Sequence, residues 1–295
     1  VRSEGSALAL FAGTLCLGAG IAVGNVLIPG LIKRDLPLHV HRVTTLYAVS
    51  LGVSAALGSA LAAPLASIAG DWKFSLAIWA FPAAAGALTW LLSALKVDRP
   101  PEASTFRVTL LHGRLAWYVT GFMGLQSLMH YVVISWFPLI LQSHGYSTSV
   151  SGWMISVYQL VSLSFSAIVP MILSRFKSQS CVAFVASMLS GAPIIGFLIR
   201  PEAAYLWLAL MGIGGGLSFT LALSFIAMRA SDHQKATSLS IMAQSLGYLL
   251  AACGPFAFGI LHDLTRNWSA PLVLLLTMAL AQAIVGIGAG RNKTV

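Results

Sequence analysis

The sequence predicts an all-α polytopic membrane protein, and three observations carry that reading. Hydrophobic residues make up 58% of the 295-residue chain and charged residues only 8%, where an ordinary soluble domain is about 25% charged. Nine charge-free runs, at 7–32, 44–68, 74–95, 115–142, 152–173, 181–199, 203–228, 237–261 and 270–289, are each long enough to cross a bilayer as a helix. The runs are continuously apolar and do not alternate, which excludes a transmembrane β-barrel.

The first run ends in GAGIAVGNVLIPGLIKRDLP, residues 18–37. Gly20 and Gly24 form a small-xxx-small pair that lets another helix approach. Pro29 removes an N–H and clashes with the carbonyl four residues back, predicting a bendable helix. Lys33, Arg34 and Asp35 stop the run at a membrane surface. A cleavable signal peptide has a shorter apolar region and a small-residue cleavage site, a pattern this run lacks. The second and third runs carry no charge and lead into KVDRPPEASTFRVTLLHGR, residues 96–114, the one connection long enough to be a linker.

The fourth run is the richest in polar groups. Gln126 and His130 are four residues apart and share a helix face, with Ser127 and Tyr131 on the adjacent stripe. Polar side chains in mid-span are costly against lipid, so they turn toward protein or water. The fifth run adds Tyr158 and Gln159, the seventh Ser218 and Thr220 beside a glycine run, and the eighth Gln244 and Tyr248, again four apart. The glycine run lies inside an apolar span with no strand before it, so it is no nucleotide loop; it lets the helix flex or pack tightly. Trp136 and Trp153 flank the fourth connection and read as interfacial anchors. Cys16, Cys181 and Cys253 fall inside spans at no metal-ligand spacing and read as small packing residues.

A net charge of +9 raises the question of an anionic partner, which the placement of the charges answers. Thirteen of the 17 Lys and Arg residues fall in alternate connections and at the C-terminus, while Arg2, Lys73, Arg200 and Arg266 fall on the other side. That bias marks the cytoplasmic side, so the charge reports topology and no nucleic-acid partner is expected. It places the C-terminus inside and the N-terminus outside.

The chain also repeats itself. Gly18 and Gly20 recur as Gly212 and Gly214, Ser50-Leu51-Gly52 as Ser245-Leu246-Gly247, and Trp72 as Trp268, in order and at nearly one offset. Runs one to three thus read as a copy, in the same orientation, of runs seven to nine. Parallel repeats of this kind relate the halves of major facilitator transporters. The arithmetic predicts three further helices before Val1, hence nine of twelve here. Residues 1–95 would be the second half of an N-terminal six-helix bundle, 96–114 the cytoplasmic inter-domain linker and 115–295 the C-terminal six-helix bundle; a genuine nine-span protein is the alternative.

GIAVGNVLIPGLIKRDLP, FMGLQSLMHYVVISWFPLILQSHG and MAQSLGYLLAACGPFAFGILHDLT resemble the cyanate-permease and 2-nitroimidazole-transporter branch of the major facilitator superfamily. The likeness implies an alternating-access carrier of a small solute, either a cyanate-like anion or a small nitroaromatic or drug-like compound, in a bacterial inner membrane. It implies no cofactor, a monomer, and lipid and solute as partners. The superfamily pattern lines the solute cavity with runs one, four and seven here. Two readings stand for each candidate: Asn25, Gln126 and His130 either contact solute or hydrogen-bond neighbouring helices, and Tyr131, Gln159 and Gln244 form a second rank under the same choice. The loop signature of the C-terminal half is reduced to PMILSRFKSQ, with Arg175 and Lys177 but no acid.

No Asp or Glu lies in mid-span, so no buried carboxylate for proton coupling is visible. Catalysis is not expected: there is no H-E-x-x-H, no paired acidic motif and no Cys/His cluster, and His39 and His41 have no acidic neighbour closer in sequence than Asp35. A substrate sensor on a transporter fold, or a non-transporting remnant, is the alternative to a carrier.

Overall fold

The computed structural model describes residues 7–35, 40–94, 113–173, 175–176, 178–231 and 233–295. Every regular element among them is helical. The first two runs become α1 (Ala7–Asp35) and α2 (Val40–Ala69), and the third becomes α3 (Trp72–Ala77) with α4 (Ala80–Ala94). The other six are α5 (Arg114–Ser143), α6 (Thr148–Leu173), α7 (Ser180–Ile199), α8 (Ala204–Met228), α9 (His233–Thr265) and α10 (Ser269–Ala289), with a 3₁₀ turn at Pro201–Ala203 before α8. Among the described residues eight stretches are long and apolar enough to span a membrane, one each in α2 and α5 to α10 and one running through α3 and α4; α1 contributes the shorter apolar stretch Leu8–Ile21.

The third run departs from its reading as one continuous helix. Pro82 has no N–H to give and its ring crowds the carbonyl of Ile78, and the helix stops at Ala77 and restarts at Ala80. In the restarted helix Pro82 falls in the first turn, where N–H groups have no intrahelical acceptor. Trp72 and Trp268, paired by the repeat, both stand at helix starts, the first opening α3 and the second capping α10.

The chain forms two compact units that divide between Pro101 and Glu102. In the first, α2 packs on α3. Ser75 Oγ donates to the carbonyl of Ala62 at 2.8 Å, and Asp71 caps α3 by accepting from the Lys73 N–H at 2.9 Å. The α1 backbone stays helical past Pro29 to Asp35; the side chains of Asn25, Pro29, Lys33 and Arg34 lie outside the described residues, as does the linker apart from Gly113 and Arg114. A Cβ at Gly20 would meet nothing within 4 Å, so the described residues show no helix packed against it.

The second unit holds α5 to α10. Here α5 packs on α9 and α10, α6 on α8, and α7 on α8 and α10. Glycines set how closely these helices approach. A Cβ on Gly216 would lie 2.0 Å from the carbonyl oxygen of Ser162, one on Gly214 2.3 Å from the backbone nitrogen of Ser190, and Gly124 of α5 faces Gly247 of α9. The glycine run of α8 is thus a packing device. Trp136, read as an interfacial anchor, is half-buried against Phe258 and Trp268 and donates its indole N–H to the Pro255 carbonyl at 2.9 Å. Trp153 is exposed. All three cysteines are free and exposed, so they do not fill the core.

Arg229, counted in the sequence as a cytoplasmic surface charge, is 1% exposed. Its Nε donates to the carbonyl of Ala289 at 2.9 Å, and Nη2 donates to Gly290 O at 3.2 Å and to Gln179 Oε1. Its guanidinium carbon lies 5.4 Å from the centre of the Phe225 ring. The last carbonyls of α10 carry the negative end of that helix dipole and take the part a carboxylate would play. Burial pulls the guanidinium down from its ordinary range, but the group stays charged.

Candidate functional site

The polar stretch of α5 is where the apolar pattern breaks, and it faces the interior of the second unit. Gln126 is 5% exposed and its amide N–H groups donate to Ser127 Oγ at 2.6 Å and to Met123 Sδ at 3.5 Å. One turn on, His130 Nδ1 lies 3.0 Å from Tyr158 Oη of α6, with the two rings stacked at 5.7 Å. The glycine run makes room for that phenol, since a Cβ on Gly215 would sit 3.1 Å from Tyr158 Oη.

Three further helices bring polar groups to the same place. On α8, Ser218 Oγ accepts from Gln282 Nε2 of α10 at 2.9 Å. On α7, Ser190 Oγ donates to the carbonyl of Ala186 at 3.1 Å. With Met129, Val133, Met211 and Gly215, these side chains line one cavity with room for about one water molecule. Gln282 is fully buried, and among the described residues its Oε1 has no hydrogen-bond partner. Such an orphaned acceptor costs about 1–3 kcal/mol.

Of the six candidates, Gln126 and His130 therefore meet at one cavity. Tyr131 stands beside His130 edge to face, at 5.7 Å between ring centres, but is 41% exposed and does not line it. Gln159 is buried outside the cavity. Gln244 is half-buried on α9, its amide donating to Ser240 Oγ at 2.8 Å within the same helix. Asn25 lies in α1 with its side chain outside the described residues. Gln282 and Ser190 escaped the sequence reading, although Gln282 is a mid-span amide like Gln126 and the same cost argument selects it.

Chemically the cluster holds amides, hydroxyls, a phenol and one imidazole, with no carboxylate, lysine or arginine, and is able to donate and to accept. Among the described residues no group of three His, Cys, Asp or Glu side chains could hold a metal ion. The arrangement offers hydrogen-bond donors and acceptors at one cavity.

Comparison with known proteins places this architecture. The Major Facilitator Superfamily profile matches residues 3–255. The chain is 42% identical over 302 aligned residues to the 2-nitroimidazole transporter of Escherichia coli (strain K12), an alignment that takes in 100% of this chain and 76% of that protein. It is 39% identical over 296 residues to the uncharacterized transporter YycB of Bacillus subtilis (strain 168), covering 99% and 74%. The cyanate transport protein CynX of Escherichia coli (strain K12) is 25% identical over 261 residues, covering 88% and 68%. No solved structure matches the chain.

Proposed function

The chain belongs to the Major Facilitator Superfamily, and from that premise we propose that it carries a small, planar nitroheteroaromatic solute across a bacterial inner membrane by alternating access. It is a multi-pass membrane transporter of small solutes and not an enzyme. The observation that carries the finer reading is the polar face of α5 set in an apolar bundle. A nitro group is an acceptor that the Gln126 amide can serve, and a flat ring suits stacking against the exposed Tyr131 beside His130. Asn25 joins these residues on the sequence reading alone. Similarity to the 2-nitroimidazole transporter supports the same solute class. The likeness to the cyanate transport protein favours a second reading, a small anion such as cyanate.

The domain reading carries over: 1–95 as three helices of an N-terminal half, 96–114 as the connection and 115–295 as the C-terminal half. The division between Pro101 and Glu102 supports it, as does the parallel repeat. We take the working unit to be a monomer.

The test is flux of labelled 2-nitroimidazole and of labelled cyanate into liposomes carrying the intact protein. Saturable 2-nitroimidazole flux is the expected result. Cyanate flux without 2-nitroimidazole flux replaces the first reading by the second, and flux of neither removes both.

A further inference from the structure

The orphaned acceptor and the cavity beside it belong together. Gln282 uses its amide N–H on Ser218 and leaves Oε1 unpartnered, in a residue that is fully buried and lines a space of about one water. Enclosed cavities that stay dry are apolar, whereas polar ones of sufficient size hold a water making two to four hydrogen bonds. Three lining groups can supply those bonds. Gln282 Oε1 accepts. Ser190 gives its proton to Ala186 and keeps an oxygen that accepts. Ser218 already accepts from Gln282 and has a hydroxyl proton to donate.

We propose that the cavity between α5, α6, α7, α8 and α10 is a binding site for one resident water molecule, which donates to Gln282 Oε1 and Ser190 Oγ and accepts from the Ser218 hydroxyl. The water itself survives rotation of the Gln282 amide, with the bonds changed: Ser218 then donates to Oε1, and the water accepts from Nε2. A cation fits the same space less well. No carboxylate lines it, and an ion in a low-dielectric span without an opposite charge is strongly disfavoured. The water joins α7, α8 and α10 in the cavity that Gln126 and His130 also line; on the proposed transport function, on which this point rests, it stays while solute comes and goes.

The deciding measurement is a map of the intact transporter in lipid nanodiscs that resolves ordered waters, collected with and without 2-nitroimidazole. The expected result is a peak at about 2.7–3.2 Å from the Gln282 amide and from a Ser190 or Ser218 hydroxyl, present in both maps. A Gln282→Leu variant should lose the peak with its thermal midpoint shifted by only a few degrees. The proposal is overturned if the amide bonds a protein group with no peak beside it, if four or more oxygens close on the peak at cation distances, or if the peak persists in Gln282→Leu. Displacement of the peak by 2-nitroimidazole also overturns it, while leaving the transport reading intact; absence of flux in liposomes sinks the transport reading and leaves the water untouched. If Gln282→Leu does not fold, the wild-type maps still decide.

Discussion

Gln126 has two possible employments, contact with solute and a bond to its neighbour Ser127, and one substitution separates them. Gln126→Leu should lower solute flux about tenfold, the equivalent of one lost hydrogen bond of roughly 1.4 kcal/mol, with the amount of protein in the membrane unchanged. Unaltered flux in liposomes removes Gln126 from the solute site. Arg229 obeys a different logic. Arg229→Ala strips donors from Gln179 and from the last carbonyls of α10, and should cost at least about 2 kcal/mol, read as a lower thermal midpoint in detergent. Arg229→Lys should recover little of it, because an ammonium lacks the planar fork that reaches three acceptors. The sequence placed Gln126 and His130 correctly on one face, since their spacing alone dictates it. It could not reveal that His130 leans on Tyr158, 28 residues away, or that Arg229 is buried, because both depend on which helices become neighbours.

The helices themselves were legible, as apolar runs of bilayer length have one stable form in hydrocarbon. Their partners were less so. Glycine pairs look alike in sequence, yet Gly216 presses on the Ser162 carbonyl while a Cβ at Gly20 would meet nothing within 4 Å among the described residues. Gly216→Ala should therefore destabilise the protein by about 1–3 kcal/mol or more, because a methyl must displace backbone. Gly20→Ala should be neutral or stabilise by about 0.5–1 kcal/mol, since Ala is the better helix former. Thermal unfolding of the two variants side by side checks the contrast, and equal losses would refute it. The break before α4 was readable from Pro82, but hydropathy averages over single residues and joined the two pieces. An indole near a span end suits the headgroup layer and an aromatic cluster equally well, and the bond from Trp136 to Pro255 depends on which helices become neighbours.

For the whole molecule, the charge asymmetry predicts an orientation with the C-terminus inside. With Cys16, Cys181 and Cys253 replaced, Arg200→Cys should react with a membrane-impermeant maleimide in intact cells and Lys293→Cys only after lysis; the reverse pattern would invert the topology. The family and its architecture followed from composition, repeat and likeness together, whereas solute identity rests on a few side chains whose setting no periodicity encodes. Arg229 joins these scales through the order of synthesis. Its carbonyl partners lie 60 and 61 residues further along the chain, which at about 5–20 residues per second take roughly 3–12 s to be made. During that interval the guanidinium has no α10 to hold it and can act as a topological charge at the membrane surface. When α10 arrives, the same side chain is enclosed. On the positive-inside expectation, one side chain would serve first as a topological charge and then, once α10 is made, as a donor to its last carbonyls.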